Sequence, residues 1–253
     1  MALGGAIARN FTGLRPVDAR SRTPLEVTTL WDFPFQSGSP DRFGASSFHG
    51  VTPSGVAWNL IARYTKPGDL VVDAMAGSST TLDVANVLGR RGLGFDLSPQ
   101  RADVVRADAR FLPLPDACAD LCFVDPPYSD NVRYSDDPRC IGRISCRDER
   151  FYDALEAVAG EVARVLRPDG ITAWLISDGY KDRCFTPVGF RLFAILSKYL
   201  SPIDIVCVAR RNDRSLSPMW VHRARRYGFF LRGFKYLFIL RKQERTSNEA
   251  VVT

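Results

Sequence analysis

The sequence predicts an α/β domain built on a doubly wound, mostly parallel sheet, and three observations predict it. Short apolar runs alternate with helix-periodic segments through most of the 253 residues, the pattern of successive βα units. Several runs end on an aspartate, at Asp73, Asp96, Asp108 and Asp125, and open parallel sheets bind ligands at the carboxyl ends of their strands. The run Ile171–Ile176 is apolar almost throughout, as in a parallel strand covered on both faces.

The elements follow in order. Residues 1–45 are rich in Gly, Pro, Ser and scattered Arg around one island, Leu30-Trp31-Asp32-Phe33-Pro34-Phe35. This reads as a partly flexible arm pinned by Trp31 and Phe33. Val56, Leu60, Ile61 and Tyr64 recur at helical spacing, giving a helix over 54–64. A turn at Pro67-Gly68-Asp69 leads into the strand Leu70–Val72. A helix over 78–88 carries Leu82, Ala85 and Leu88 on one face and stops at Gly89. Strands are expected at 92–95, 104–107 and 120–124. The polar stretch 129–150 lacks a period and has the length of a functional loop. Phe151, Leu155, Val158, Val162 and Val165 define an amphipathic helix to Leu166, stopped by the turn residues Arg167-Pro-Asp-Gly170. A further helix is expected at 190–200, then strands at 203–209 and 231–240 as an antiparallel pair. The expected organisation is one domain over 46–243, with a flexible tail from 244.

Composition excludes several classes. No apolar run approaches the roughly 20 residues of a membrane span, and Met1–Pro16 has no long apolar core of a signal peptide, so residence in the cytoplasm and no membrane partner are expected. The cysteines at 118, 122, 140, 146, 184 and 207 form no Cys-x-x-Cys pair and lie far from His49 and His222. Free thiols are therefore expected rather than a metal site.

Asp73-Ala-Met-Ala-Gly77-Ser-Ser-Thr-Thr81 reads as a cofactor loop. Gly77 lets the backbone approach a ligand, and the following helix aims its unpaired N–H groups at it. Neither Gly-x-Gly-x-x-Gly nor Gly-Lys-Ser/Thr occurs here, which argues against dinucleotides and against a phosphate-binding loop. S-adenosylmethionine fits better. Its methionine end would meet the Gly77 loop, its ribose hydroxyls Asp96, and its adenine amino group Asp108. Any one strand-end aspartate can equally be a helix cap or a turn residue.

Asp125-Pro126-Pro127-Tyr128 follows the apolar run that ends at Val124. A carboxylate and a proline carbonyl are two acceptors for the two donors of an aromatic NH2. Together they localise its delocalised lone pair on nitrogen. The ring of Tyr128 can stack on a base. A harmless strand-end turn is the alternative.

With both motifs in view, the chain resembles the DNA N4-cytosine/N6-adenine amino-methyltransferases. The Asp73 loop resembles their Asp-Pro-Phe-x-Gly-Ser-Gly-Thr-Thr motif, Asp125-Pro-Pro-Tyr128 their catalytic motif, Phe48-His49-Gly50-x-x-Pro53 the element that closes over the methionine moiety, and 230–241 their last strand. The likeness runs from about residue 28 to 242. Its motif order, cofactor before catalysis, resembles the gamma arrangement. Ala74 and Met75 stand where the family has Pro-Phe, and Ser79 stands where it has Gly, which asks a non-glycine residue to adopt the local backbone.

The resemblance implies the class I methyltransferase form of the fold, with seven strands and an antiparallel C-terminal strand. It implies S-adenosylmethionine held by Phe48, His49, Asp73, Ala76, Gly77, Ser79, Thr80, Asp96, Leu97, Asp108 and Ala109. It also implies a DNA base methylated on adenine N6 or cytosine N4 at Asp125, Pro126, Pro127 and Tyr128, after base flipping. Asn131, Arg133 and Tyr134 are expected to border the substrate.

Only 129–150 and 178–230 leave room for target recognition. Between Arg210 and Arg245 eleven Arg or Lys stand against Asp213 and Glu244, interleaved with aromatic residues. That suits a polyanion with stackable bases and makes Arg223, Arg225 and Arg226 candidate DNA contacts. RNA as substrate, and a non-catalytic relative that binds nucleic acid, are the alternatives. A role in restriction–modification, in defence or in regulation is equally open.

Overall fold

A computed structural model describes residues 25–33, 43–44, 51–130, 132–210 and 217–243. The order of elements is β1 (Leu30–Trp31), α1 (Ser54–Tyr64), β2 (Leu70–Asp73), α2 (Thr80–Val87), β3 (Arg91–Asp96), β4 (Val104–Arg106), β5 (Ala119–Val124), α3 (Glu149–Val165), β6 (Leu166–Ile176), β7 (Gly179–Lys181), β8 (Cys184–Thr186), α4 (Val188–Leu196), β9 (Ser201–Ala209), α5 (Pro218–Tyr227) and β10 (Phe234–Arg241).

The main sheet has eight strands in the order β1-β9-β10-β6-β5-β2-β3-β4. Seven were expected; β1 is the addition, pairing parallel to β9 at the edge through Leu30↔Cys207 and Trp31↔Val208. Trp31 makes this possible. Its ring is 1% exposed, its indole N–H donates to the Thr28 carbonyl at 2.8 Å, and Phe33 packs on it edge to face. Strand β10 runs antiparallel to both β6 and β9, while β6-β5-β2-β3-β4 are parallel.

The strands alternate their side chains between two cores, as the period of two requires. Val71, Leu121, Phe123, Ala173, Leu175, Leu237 and Ile239 meet α1 and α2 through Leu60, Ile61, Val84 and Ala85. Val72, Cys122, Val124, Trp174, Ile176, Phe238 and Leu240 meet α3 and α4 through Leu155, Val158, Val162, Leu192 and Leu196. Helix α3 starts where the Asp148 carboxylate accepts from the Arg150 N–H, a side-chain cap for an otherwise unpaired donor.

Three differences from the sequence reading have physical causes. The turn expected at Arg167-Pro-Asp-Gly170 lies inside β6, which starts at Leu166. There Asp169 takes a positive φ and exchanges backbone hydrogen bonds with Lys242 through Asp169 and Gly170. The hairpin β7–β8 and helix α5 were not anticipated. Helix α5 begins with Pro218, carries Arg225 and Arg226 in its last turn, ends at Gly228 in the left-handed conformation and buries none of its residues. Trp220, Ala224 and Tyr227 recur on it at helical spacing, but none of them is buried. All six cysteines are free, with Cys122, Cys140 and Cys146 buried. Among the described residues no helix is long and apolar enough to cross a membrane.

Candidate active site

The doubly wound sheet brings the chemistry of the chain to one edge. Taken across neighbouring strands, the residues at that edge are Lys235 near the start of β10, Ser177 just past β6, Asp125 just past β5, Asp73 ending β2, Asp96 ending β3 and Asp108 two residues past β4. The antiparallel direction of β10 delivers its first residues to the edge where the parallel strands finish. Strands β5 and β2 are direct neighbours, so the two motifs stand one strand spacing apart, about 4.8 Å.

A single cleft of about 670 Å³ runs along this edge and is lined by both motifs. At one end are Asp73, Ala76, Gly77, Thr80, Asp96, Leu97, Asp108 and Ala109; at the other are Asp125, Pro126, Pro127, Tyr128 and Tyr134.

The acidic end is built around desolvated carboxylates. Asp73 is 3% exposed. Burial raises its pKa from 3.8 to about 7, against the lowering effect of hydrogen bonds from Thr81 and Met75 and with the help of repulsion from Asp125 and Asp96. Asp96 accepts from the backbone N–H of Gly77 at 3.0 Å and of Ser98 at 2.8 Å, so it braces the glycine turn from the next strand. The Gly77 N–H is thus committed to Asp96 rather than aimed into the cleft. Asp108 faces the Arg110 guanidinium at 2.6 Å. Burial pushes its carboxyl upward, but the hydrogen bonds and charge of Arg110 outweigh burial and hold it below the usual range.

Ser79 does not line the cleft. It is wholly buried and sits before α2 at φ 66° and ψ 24°, the left-handed conformation that its place in the glycine-rich motif implies. Its hydroxyl finds no partner among the described residues.

At the other end Asp125 is held from three directions. The Thr52 hydroxyl donates to Oδ2 at 2.6 Å, the Tyr128 hydroxyl donates to Oδ1 at 2.8 Å, and the Lys235 ammonium lies 3.7 Å from Oδ2. Burial pushes the Tyr128 hydroxyl well above its ordinary pKa, and the charge of Asp125 adds to this. Burial lifts Tyr134 to about 12, again helped by Asp125. The Lys235 ammonium also lies 5.0 Å from the centre of the Tyr128 ring. Gly142 completes this corner, since a Cβ there would stand 3.0 Å from both Pro127 and Tyr134.

Other candidates fall elsewhere. Arg133 is exposed and paired with Asp136, outside the cleft lining. Arg223, Arg225 and Arg226 lie on the exposed α5, also outside it. Arg223 stands over the Trp220 ring and Arg226 over the Tyr227 ring. Phe48, His49 and Asn131 lie outside the described residues.

Several lining residues were not anticipated: Thr52, Ser177, Asp178, Tyr180, Arg210, Arg232 and Lys235. Two signals were available. The strand-end rule that selects Asp125 also selects Ser177-Asp178 after Ile171–Ile176. Lys235 interrupts a strongly apolar strand, Phe234-Lys-Tyr-Leu-Phe-Ile-Leu, where a lysine needs a reason. Ser177 lines the cleft, and its hydroxyl is buried with no partner among the described residues. Arg210, Arg232 and Lys235 make this end of the cleft basic. The Arg232 guanidinium lies over the Tyr180 and Phe185 rings, and Tyr180 stacks on Phe229.

Residues 12–107 match the N6_N4_Mtase family model, DNA methylase. The match takes in the Asp73 loop, Asp96 and the end of β4, and stops before Asp125. Among solved structures, the chain is similar to the [4+2]-cyclase SpnF, with a TM-score of 0.51, 15% identity, and coverage of 79% of this chain and 87% of that one. It is also similar to geranyl diphosphate C-methyltransferase from Streptomyces coelicolor A3(2), solved with Mg2+, geranyl-S-thiolodiphosphate and S-adenosyl-L-homocysteine, with a TM-score of 0.50, 15% identity, and coverage of 75% and 76%. These likenesses show the fold, that of the class I methyltransferases.

Proposed function

We propose that the chain is an S-adenosylmethionine-dependent methyltransferase acting on an exocyclic amino group of a DNA base, adenine N6 or cytosine N4, after base flipping. One observation carries this reading: the cofactor-type loop and the Asp-Pro-Pro-Tyr corner line the same cleft on adjacent strands. The DNA methylase match over 12–107 supports it.

The residues suit the cofactor. Asp73 is a buried carboxylate made unfavourable by its own desolvation, so a cation beside it would be stabilised. Asp73, Asp96 and Asp108 at successive strand ends suit an ammonium group, ribose hydroxyls and an exocyclic amine. When bound, S-adenosylmethionine supplies a methyl group on a sulfonium centre. The remaining work belongs to the chain. Asp125 and the Pro126 carbonyl accept the two N–H bonds of the target amine and draw its lone pair out of conjugation. Tyr128 offers a ring for stacking, worth about 1–3 kcal/mol for a base.

The basic end of the cleft, the aromatic and arginine cluster at Tyr180, Phe185, Phe229 and Arg232, and the arginines of α5 suit a polyanion with bases. The test is incubation with methyl-labelled cofactor and either DNA or RNA, followed by nucleoside mass spectrometry. N6-methyladenine or N4-methylcytosine from DNA is the expected result. Label confined to RNA would move the reading to an RNA amino-methyltransferase, and no label in either would favour a non-catalytic relative.

A further inference from the structure

Lys235 enters the cleft from β10, outside both motifs, and its surroundings are costly for a charge. Its side chain is 12% exposed, and burial pulls its pKa below that of a free lysine, with Asp125 opposing. A buried ammonium persists where a partner compensates it, and the carboxylate nearest it is Asp125 at 3.7 Å. The same Oδ2 accepts the Thr52 hydroxyl at 2.6 Å, while Oδ1 takes Tyr128. Asp73 faces Asp125 from β2 with like charge; Tyr128 and Tyr134 face it from the loop after β5; and Arg210, past β9, adds a second cation near Tyr128, Tyr134 and Lys235.

We propose that Lys235, with Thr52, is a positioning residue for methyl transfer: it holds the Asp125 carboxylate in one orientation. The inference rests on the methyltransferase reading above. A carboxylate has about four acceptor sites. The hydroxyls of Thr52 and Tyr128 occupy one on each oxygen and the ammonium approaches Oδ2, so the carboxylate cannot spin and keeps an acceptor site for the substrate amine. The amine needs an acceptor of fixed direction, because a misplaced one fails to align the nitrogen lone pair with the methyl carbon. No proton is assigned to Lys235 in this role; the ammonium acts by charge and position.

The experiment is a double-variant cycle with Lys235→Met and Asp125→Asn. Methionine keeps the length of the side chain without its charge. Asparagine keeps an acceptor oxygen, so residual turnover is measurable, but removes the charge that Lys235 faces. The expected result is a loss of at least about tenfold in kcat for Lys235→Met, with cofactor affinity retained. In the Asp125→Asn background the same change should cost almost nothing, because residues that act through one contact are not additive. Urea unfolding provides a readout without turnover: the double variant should lose less stability than the two single variants summed. Full activity in Lys235→Met, or an equal fold-loss in both backgrounds, overturns the positioning role while wild-type methylation stands. A wild-type protein that transfers no label overturns the methyltransferase reading and this role with it, and the unfolding cycle then reports only whether the ion pair exists.

Discussion

The desolvated carboxylate of Asp73 gives the cleft a measurable pH dependence. Its pKa rises from 3.8 to about 7, which corresponds to about 4 kcal/mol. The folded state therefore holds this proton more tightly than the unfolded state does. The stabilising contribution is complete below pH 3.8 and is lost as the pH rises to about 7. A cationic ligand reverses the preference, because it stabilises the ionised form; about 4 kcal/mol is the ceiling on what it can recover. Binding of S-adenosylmethionine below pH 7 should accordingly release a proton. For a midpoint near 7 the ionised fraction is about 0.9 at pH 8 and about 0.1 at pH 6, so affinity should fall about tenfold between them. Isothermal titration calorimetry in buffers of different ionisation enthalpy measures both the affinity and the proton released. Asp73→Asn, which cannot ionise, should bind with no pH dependence over this range. Equal affinity at pH 6 and pH 8 in the wild type, or the wild-type slope in the asparagine variant, would refute the reasoning.

Other predictions follow from the same geometry. Asp125→Ala should lower kcat for base methylation by at least about 100-fold while leaving cofactor affinity within a factor of two or so; unchanged turnover would remove Asp125 from the reaction. Tyr128→Ala should weaken substrate by the loss of one stacking contact, about 1–3 kcal/mol, read as a rise in KM. Replacing Arg223, Arg225 and Arg226 together by Gln should make the salt dependence of duplex binding shallower by up to about 2.7 in logarithmic slope; an unaltered slope would place the duplex elsewhere. Ser79→Gly should raise stability by about 1 kcal/mol in urea unfolding, since it relieves a left-handed backbone and removes a buried hydroxyl without a partner.

The parallel strands and the core helices were legible because each buries an apolar face with its own period. Val71 and Val72 point to opposite cores, and the α3 residues Leu155, Val158 and Val162 share one face. The acidic residues of the cleft were legible because strand ends and motif positions coincide. What escaped depends on tertiary pairing more than on local pattern. The turn residues Arg167–Gly170 sit inside β6 because pairing with β10 and the backbone of Lys242 overrides turn chemistry. The hairpin β7–β8 is short and mostly exposed. Helix α5 depends on a proline start and a glycine stop rather than on burial. Lys235 meets Asp125 from 110 positions along the chain, a proximity set by the antiparallel placement of β10 beside β6. Arg133 illustrates the converse: it follows Asp125-Pro-Pro-Tyr128 closely in sequence, yet its side chain pairs with Asp136 at the surface.

The proposed chemistry requires a methyl donor and a nucleobase amine to meet in one cleft beside Asp125. The most direct measurement is a crystal structure of the Asp125→Asn protein with S-adenosylmethionine and a DNA oligonucleotide bound. The account predicts a flipped base whose amino nitrogen lies about 3–3.5 Å from the methyl carbon, next to Asn at position 125 and the Pro126 carbonyl. Cofactor bound outside the Asp73–Asp96–Asp108 edge, or a base seated away from the Asp-Pro-Pro-Tyr corner, would contradict it.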